Sequence, residues 1–274
     1  MKNSELIYMD LIARGRQEAT ARAWRGVVLR FEECCGVKDE YVRADVIKFV
    51  GELRSEGIKQ SSINTKLRAV KLLCKVQGWD KSFPELAMPK VRRCDVSRPV
   101  LSSEDVGIMI RKAKSLCSER EVAYLAAATT YGLRRGEIGS LKVYDGVVKV
   151  DTLKGGEVTI QLVPCEIKEF IKGYRGCDDA RYVTRVFCSI IGKTGVEVSA
   201  GYGWHSIRRA LATELLIRDV SLLNIMRFMR WSDASVVREV GMLGIYAGRK
   251  QEDIDRSVFE DHPFLDFWTD GVRC

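Results

Sequence analysis

The sequence predicts a mainly α-helical protein with a small antiparallel sheet: a helical N-terminal domain followed by an α+β domain in which helices dominate. Three observations predict it. Apolar residues recur at helical spacing through most of the 274 residues, alternation of β type is confined to one stretch near the middle, and a proline-bearing basic segment separates two patterned regions. The expected organisation is 1–80 helical, 81–99 linker, 100–250 α+β and 251–274 an acidic, aromatic tail.

Residues 1–80 hold three helical patterns with turn-like breaks between them. Trp24, Val27, Val28 and Phe31 fall at i, i+3, i+4 and i+7, as do Val46, Phe49, Val50 and Leu53, so each helix buries one face. A third helix buries Ile63, Leu67, Val70 and Cys74. Beside that face lie Asn64, Arg68, Lys71 and Lys75, with Lys66 nearby, a polar and mostly basic stripe. It is either an ordinary solvated face or a surface for DNA phosphates. The linker 81–99 holds three of the five prolines together with Lys90, Arg92, Arg93 and Arg98. Extended and basic, it is suited to crossing a DNA backbone.

Helical patterning resumes at Ser102 or Ser103, an N-cap candidate ahead of Glu104 and Asp105. An apolar helix with Val122, Leu125, Ala126 and Thr129 on one face then runs to Tyr131-Gly132. Val147 to Val150 reads as a strand, and Val158, Ile160 and Leu162 alternate with Thr159 and Gln161 in another, with Gly155-Gly156 turning between them. Residues 185–189, RVFCS, are expected to add a third strand. From His205 the pattern is helical again, with Ile207, Leu211 and Leu215 on one face, then Leu222, Ile225, Met226 and Met229 on another.

Composition excludes several classes. No apolar run approaches the roughly 20 residues of a membrane helix, and the opening residues carry Glu5 and Asp10 where a signal peptide would be basic, then apolar. A cytoplasmic protein is expected. Nine cysteines without a CxxC pair, and two histidines away from any cysteine cluster, make a poor metal site. No metal or cofactor is expected. The net charge of +8 divides as +7 over residues 1–99, +6 over 100–250 and −5 over 251–274. Two basic bodies followed by an acidic segment fit a polyanionic partner.

A metal-free phosphodiester transfer needs fixed cations on the non-bridging oxygens, a hydroxyl nucleophile and a proton donor for the leaving oxygen. Arginine suits the first task because its planar fork donates two hydrogen bonds and stays charged. The segment ATTYGLRRGEIGSL places Arg134 and Arg135 after a helix-ending glycine, with Glu137 three residues beyond Arg134, where it can hold that arginine. Further on, WHSIRRALATELL puts His205 and Arg208 at i and i+3, on one face of a helix start. Each piece alone is a weak signal.

Together, GLRRGE, LKGG in a β-turn, HSIRR and a late tyrosine resemble the tyrosine recombinase, or phage integrase, family, over nearly the whole chain. The resemblance implies a helical core-binding domain and an α+β catalytic domain that cleave and rejoin double-stranded DNA through a 3′-phosphotyrosyl intermediate, without ATP or metal. It makes Arg134 and Arg208 the phosphate clamp, Glu137 the support of Arg134, and His205 an aid to proton transfer or phosphate binding. Lys154, in the turn between the strands, matches the general acid. The family's attacking tyrosine follows HxxR, and of nine tyrosines only Tyr246 does. Tyrosine, with a pKa of about 10, needs neighbouring positive charge to lose its proton.

The chain also departs from the family pattern. A histidine or tryptophan usually stands about nine residues before the tyrosine in a sequence like LGHSS; here MRWSDASVV supplies Trp231, fifteen residues ahead of Tyr246. Its indole N–H can serve the phosphate. Arg209 stands where many relatives have a second histidine. After Tyr246 the acidic residues 251–274 include Phe259, Phe264, Leu265, Phe267 and Trp268, aromatics that call for a protein surface. In relatives this tail packs onto a neighbour in a ring of four on two duplexes. The resemblance implies the same tetramer here through residues 251–274; folding back onto its own domain is the alternative. Two other functions remain open: strand relaxation of the type IB topoisomerase kind, and a DNA-binding regulator that does not cut.

Overall fold

The computed structural model describes residues 2–79, 100–152, 158–177, 179–231 and 250–269. Lys90, Arg92, Arg93, Lys154 and Tyr246 lie outside the described residues. The chain divides into two compact units, Met1–Ser97 and Arg98–Cys274.

The first unit contains four described helices: α1 (Asn3–Ala13), α2 (Glu18–Cys35), α3 (Arg43–Ser55) and α4 (Gln60–Val76). Three were expected. The first buries only Asn3, Ser4, Ile7 and Leu11, too few apolar positions to show as a stripe. Its polar Asn3 is satisfied inside the unit, donating to Glu32 Oε1 at 2.9 Å and accepting from Gln77 at 2.6 Å. The core is Val28, Phe31, Phe49, Leu53, Ile63, Leu67, Val70 and Leu73. Phe31 meets Tyr41 and Phe49 with ring centroids 4.7 and 5.2 Å apart, tilted contacts that suit aromatic quadrupoles.

The second unit opens with α5 (Ser103–Leu116) and α6 (Glu119–Tyr131). Ser102 and Ser118 cap them, each accepting a hydrogen bond from the backbone N–H three residues on while Asp105 and Glu121 reach back. Every residue of α6 from Glu121 to Tyr131 is buried, which makes this helix the axis of the domain. It ends at Gly132, in the left-handed region at φ 55°. A Cβ there would meet Met229 at 2.6 Å and Leu211 at 3.1 Å, so backbone conformation and space both require glycine. The short α7 (Arg135–Ser140) follows.

The sheet has order β1-β2-β3, all antiparallel: β1 (Lys142–Val143), β2 (Val147–Asp151) and β3 (Val158–Leu162). Val150 pairs with Thr159 and Val148 with Gln161; Val148, Val150 and Gln161 point into the domain while Val158 and Ile160 stay exposed. A short α8 (Lys168–Ile171) leads to α9 (Ala180–Thr194). This helix overturns the strand expected at 185–189. Val183, Val186, Phe187 and Ile190 are buried at helical spacing, a period that a five-residue window of β-branched and aromatic residues conceals. Asp179 and Gly195 stop the helix at either end. Then come α10 (Trp204–Ile217), α11 (Leu222–Phe228) and α12 (Gln251–Glu260). Among the described residues no helix is long and apolar enough to cross a membrane.

The final segment corrects a premise. Ile254, Val258, Phe264, Leu265 and Trp268 belong to the core of their own domain, so they are not an exposed aromatic tail awaiting a neighbour. Trp268 meets the Phe170 ring at a tilt and donates to Thr129 Oγ1 at 3.3 Å. Deleting residues 252–274 would therefore strip a core, and its failure to recombine would say nothing of assembly.

His262 is 2% exposed. Its Nε2 meets Thr130 O at 3.0 Å and its Nδ1 accepts from Phe264 N–H at 3.2 Å, the pattern of a neutral ring that donates from Nε2. Burial depresses its pKa from 6.5 to about 4. Below 6.5 the unfolded chain takes up this proton first, so the stability linked to His262 is complete above that pH and is lost towards 4. Asp255 runs the other way, because burial raises its pKa to about 6 and acidification then favours the folded state. His262→Gln removes only the first effect. Its stability deficit against the parent protein is expected to shrink by about 2–3 kcal/mol between about pH 7 and pH 4, measured by urea denaturation. A deficit independent of pH contradicts the assignment.

Candidate active site

The geometry begins where α6 stops. Gly132 turns the chain and Arg134 stands in the N-cap position of α7, with extended backbone at ψ 154°. Glu137, in that helix's first turn, reaches back: Oε2 accepts from the Arg134 backbone N–H at 2.8 Å and Oε1 from the guanidinium at 2.6 Å. One carboxylate thus caps the helix and aims the side chain. Arg134 keeps 24% of its side chain exposed while Glu137 is wholly buried. Arg135 points elsewhere, towards Thr184.

Arg208 arrives from α10. That helix is anchored by Trp204, which packs edge-on against Phe187 and donates to Val183 O at 2.6 Å. One turn on, Arg208 is buried, with its two terminal nitrogens donating to Gly132 O and Met229 O. These are carbonyls at the C-terminal ends of α6 and α11, where helix dipoles favour a cation. Its guanidinium lies 3.9 Å from Glu137, so Arg134 and Arg208 share one carboxylate. His205 is exposed on the first turn of the same helix. Trp231 is half-buried, packed against the core, with its backbone N–H on Met226 O at 2.9 Å.

A third arginine completes the group. Arg230, with 2% of its side chain exposed, sits 3.4 Å from Glu137 Oε2. Its terminal nitrogens also donate to Tyr131 O and Phe228 O, both at 2.9 Å, and to Gln161 Oε1. Gln161 donates in turn to Asp255 Oδ1 at 3.3 Å, and Asp255 accepts from the Leu162 backbone N–H at 2.8 Å. Sequence patterning does not point to Arg230, Gln161 or Asp255, since a charged residue inside an apolar run reads as surface. The only hint is that Arg230 occupies the place of the glycine in LGHSS.

Three guanidinium groups around one buried carboxylate leave an excess of positive charge at a partly open site. Burial opposes ionisation of Glu137, but Arg230 and then Arg134 overcome it and hold the carboxyl below its ordinary range. For Arg208, burial first, then Arg134 and Arg230, lower the pKa to about 9, still charged at neutral pH. Repulsion of this kind is relieved by an anion, and the remaining N–H bonds of the arginine forks are the donors it would meet. The structure therefore brings Arg134, Arg208 and Glu137 together, with His205 and Trp231 on adjoining turns. In the first unit Arg68, Lys71 and Lys75 are exposed on α4, whereas Lys66 and Asn64 are half-buried and Asn64 accepts from Gln60 at 2.7 Å. Among the described residues no group of three or more His, Cys, Asp or Glu could hold a metal ion.

No family model matches the sequence. The tyrosine recombinase XerA of Thermococcus onnurineus is 24% identical over 275 residues, covering 92% of this chain and 93% of that protein. A lambda integrase dimer bound to a COC′ core site shares the fold with a TM-score of 0.66 at 15% identity, over 90% of this chain and 77% of that one. A lambda integrase tetramer bound to a Holliday junction gives a TM-score of 0.66 at 14% identity, over 86% and 75%.

Proposed function

We propose that this chain, a member of the tyrosine recombinase (integrase) family by sequence and fold, is a site-specific recombinase that cuts and rejoins double-stranded DNA. The observation that carries this reading is the surplus of guanidinium charge held by Glu137 around an opening that Arg134 reaches. Glu137 balances only part of this charge, and an anion at Arg134 would balance more of it; in DNA that anion is a phosphodiester.

In the proposed reaction Arg134 and Arg208 hold the non-bridging oxygens, and Trp231 donates its indole N–H beside them. The Tyr246 hydroxyl attacks phosphorus, losing its proton to His205. The bond from phosphorus to the 5′ oxygen breaks as the tyrosyl ester to the 3′ phosphate forms, and Lys154 protonates the departing 5′ oxygen. Attack by a 5′ hydroxyl reverses each step, so the phosphodiester energy is conserved. Roles for Lys154 and Tyr246 rest on the family resemblance, and those for the arginines also on the geometry. Asn64, Lys66, Arg68, Lys71 and Lys75 of α4, with linker residues Lys90, Arg92 and Arg93, would meet the backbone phosphates.

Assembly as a tetramer on two duplexes belongs to the same reading. The buried residues of 251–269 would serve it by exchanging with a neighbour the contacts that α12 and Trp268 make in their own domain, and the exposed Glu252, Asp253, Arg256, Glu260 and Asp261 by adding a contact outside that core. Strand relaxation by the same chemistry is the second reading, favoured by plasmid relaxation without any two-duplex complex.

The test is capture of a detergent-stable protein–DNA adduct from a pool of nicked duplexes of random sequence. Successive rounds are expected to enrich one site. A pool that yields no adduct, although the folded protein binds duplex DNA, would leave only the non-cutting regulator.

A further inference from the structure

Arg230 has no role in the reaction described above, yet it is among the most constrained side chains in the domain. Its backbone lies in the left-handed region at φ 53°, where glycine is the usual residue at a helix end. Its side chain is buried and makes four hydrogen-bonding or ionic contacts, while its Nε, fully enclosed, has none. An arginine in a glycine's conformation, turned inward against a desolvation cost, has to be repaid by what it holds.

What it holds forms a pattern. Arg230 ties Tyr131 O to Phe228 O, and Arg208 ties Gly132 O to Met229 O. The two guanidinium groups therefore lace the ends of α6 and α11 through successive carbonyls, one residue apart on each helix. Glu137 lies against both, and its other oxygen holds Arg134. The opposite side of Arg230 is fixed by Gln161 of β3, which Asp255 of α12 holds in turn.

We propose that Arg230 is a positioning residue: by fixing Glu137 and the two helix ends, it sets Arg134 and Arg208 at the separation at which both can grip one phosphate. The inference rests on the recombinase reading and names a part that reading does not contain. Arg230 touches no substrate. It acts through Glu137 and through the helix-end carbonyls adjacent to those that Arg208 holds. Through Gln161 and Asp255, the setting also depends on α12 being docked.

The test uses the full-length protein on a nicked duplex selected with the parent protein, reading single-turnover adduct formation, DNA affinity and melting temperature together. Arg230→Gly relieves the backbone and leaves no charge; it is expected to slow adduct formation by about tenfold to a hundredfold while affinity changes by less than about twofold. Because part of the effect passes through Glu137, Glu137→Gln combined with Arg230→Gly is expected to be slowed by less than the product of the two single losses. Arg230→Lys keeps the charge but cannot span Gln161, Tyr131 and Glu137 together, and is expected to lose part of the rate together with a few degrees of melting temperature. Adduct formation at the parent rate in either folded single variant, or losses that add in full in the double variant, would overturn the proposal. An inactive parent protein would instead remove the recombinase reading and this inference with it.

Discussion

Arg208→Ala is expected to slow DNA cleavage by on the order of 10²-fold or more, the effect of losing one preorganised donor at a reacting centre. The fold should largely survive. Removing the guanidinium leaves Gly132 O and Met229 O without their partner, at a cost of about 1–3 kcal/mol for buried acceptors. Against that, it removes a cation that burial, Arg134 and Arg230 all disfavour. Arg208→Lys should recover little of the rate, because a point charge cannot reach both carbonyls and still present a fork. Pre-steady-state adduct formation, compared at equal DNA occupancy, measures the effect. A variant that cleaves within about threefold of the parent would place the clamp elsewhere, since even one preorganised donor is worth more than that.

Glu137→Ala is expected to have the largest effect on stability of any single change in the site, about 3–5 kcal/mol. It leaves Arg134, Arg208 and Arg230 facing one another without their shared carboxylate, and it removes the acceptor for the backbone N–H of Arg134, the N-cap of α7. Glu137→Gln keeps an acceptor for that N–H and loses only the charge, so its deficit should be the smaller. Urea denaturation followed by circular dichroism separates the two. The Glu137 contribution is present above its ordinary pKa of 4.5 and lost as pH falls through the depressed folded value, so the deficit should close in acid. A Glu137→Gln variant as stable as the parent would mean that packing and the acceptor, and not charge, are what Glu137 provides.

The site shows where sequence is legible and where it is not. GLRRGE and HSIRR could be read only in combination, through the family resemblance, because either alone is a weak signal; the structure does set Arg134 and Arg208 against the one carboxylate of Glu137. The two principal strands were legible because Val158 to Leu162 alternates cleanly and pairs with Val147 to Asp151. Residues 185–189 were not, because Val186 and Phe187 satisfy strand preference locally while Val183 and Ile190, just outside that window, decide for a helix. Likewise α1 escaped notice because half of what it buries is polar.

Arg230 and Asp255 escaped for a deeper reason. Charged residues are read as surface, and their burial depends on distant partners, 69 to 99 residues away in the chain for Arg230 with Gln161, Glu137 and Tyr131, and 94 for Asp255 with Gln161. The acidic final segment misled in the same way: its charge suggests solvent, but Ile254, Val258 and Trp268 carry it into the core. Composition records what a segment contains and not which face of it is turned inward.

The most direct test of the whole account is to map the covalent attachment. The adduct formed on a selected nicked duplex would be digested with nuclease and trypsin and the modified peptide sequenced by mass spectrometry. The expected product is a 3′-phosphonucleotide on Tyr246, within the tryptic peptide spanning residues 239–249, with no adduct at all from Tyr246→Phe although that variant still binds DNA. Attachment through a 5′ phosphate or to a residue other than Tyr246, or an undiminished adduct from Tyr246→Phe, would contradict it.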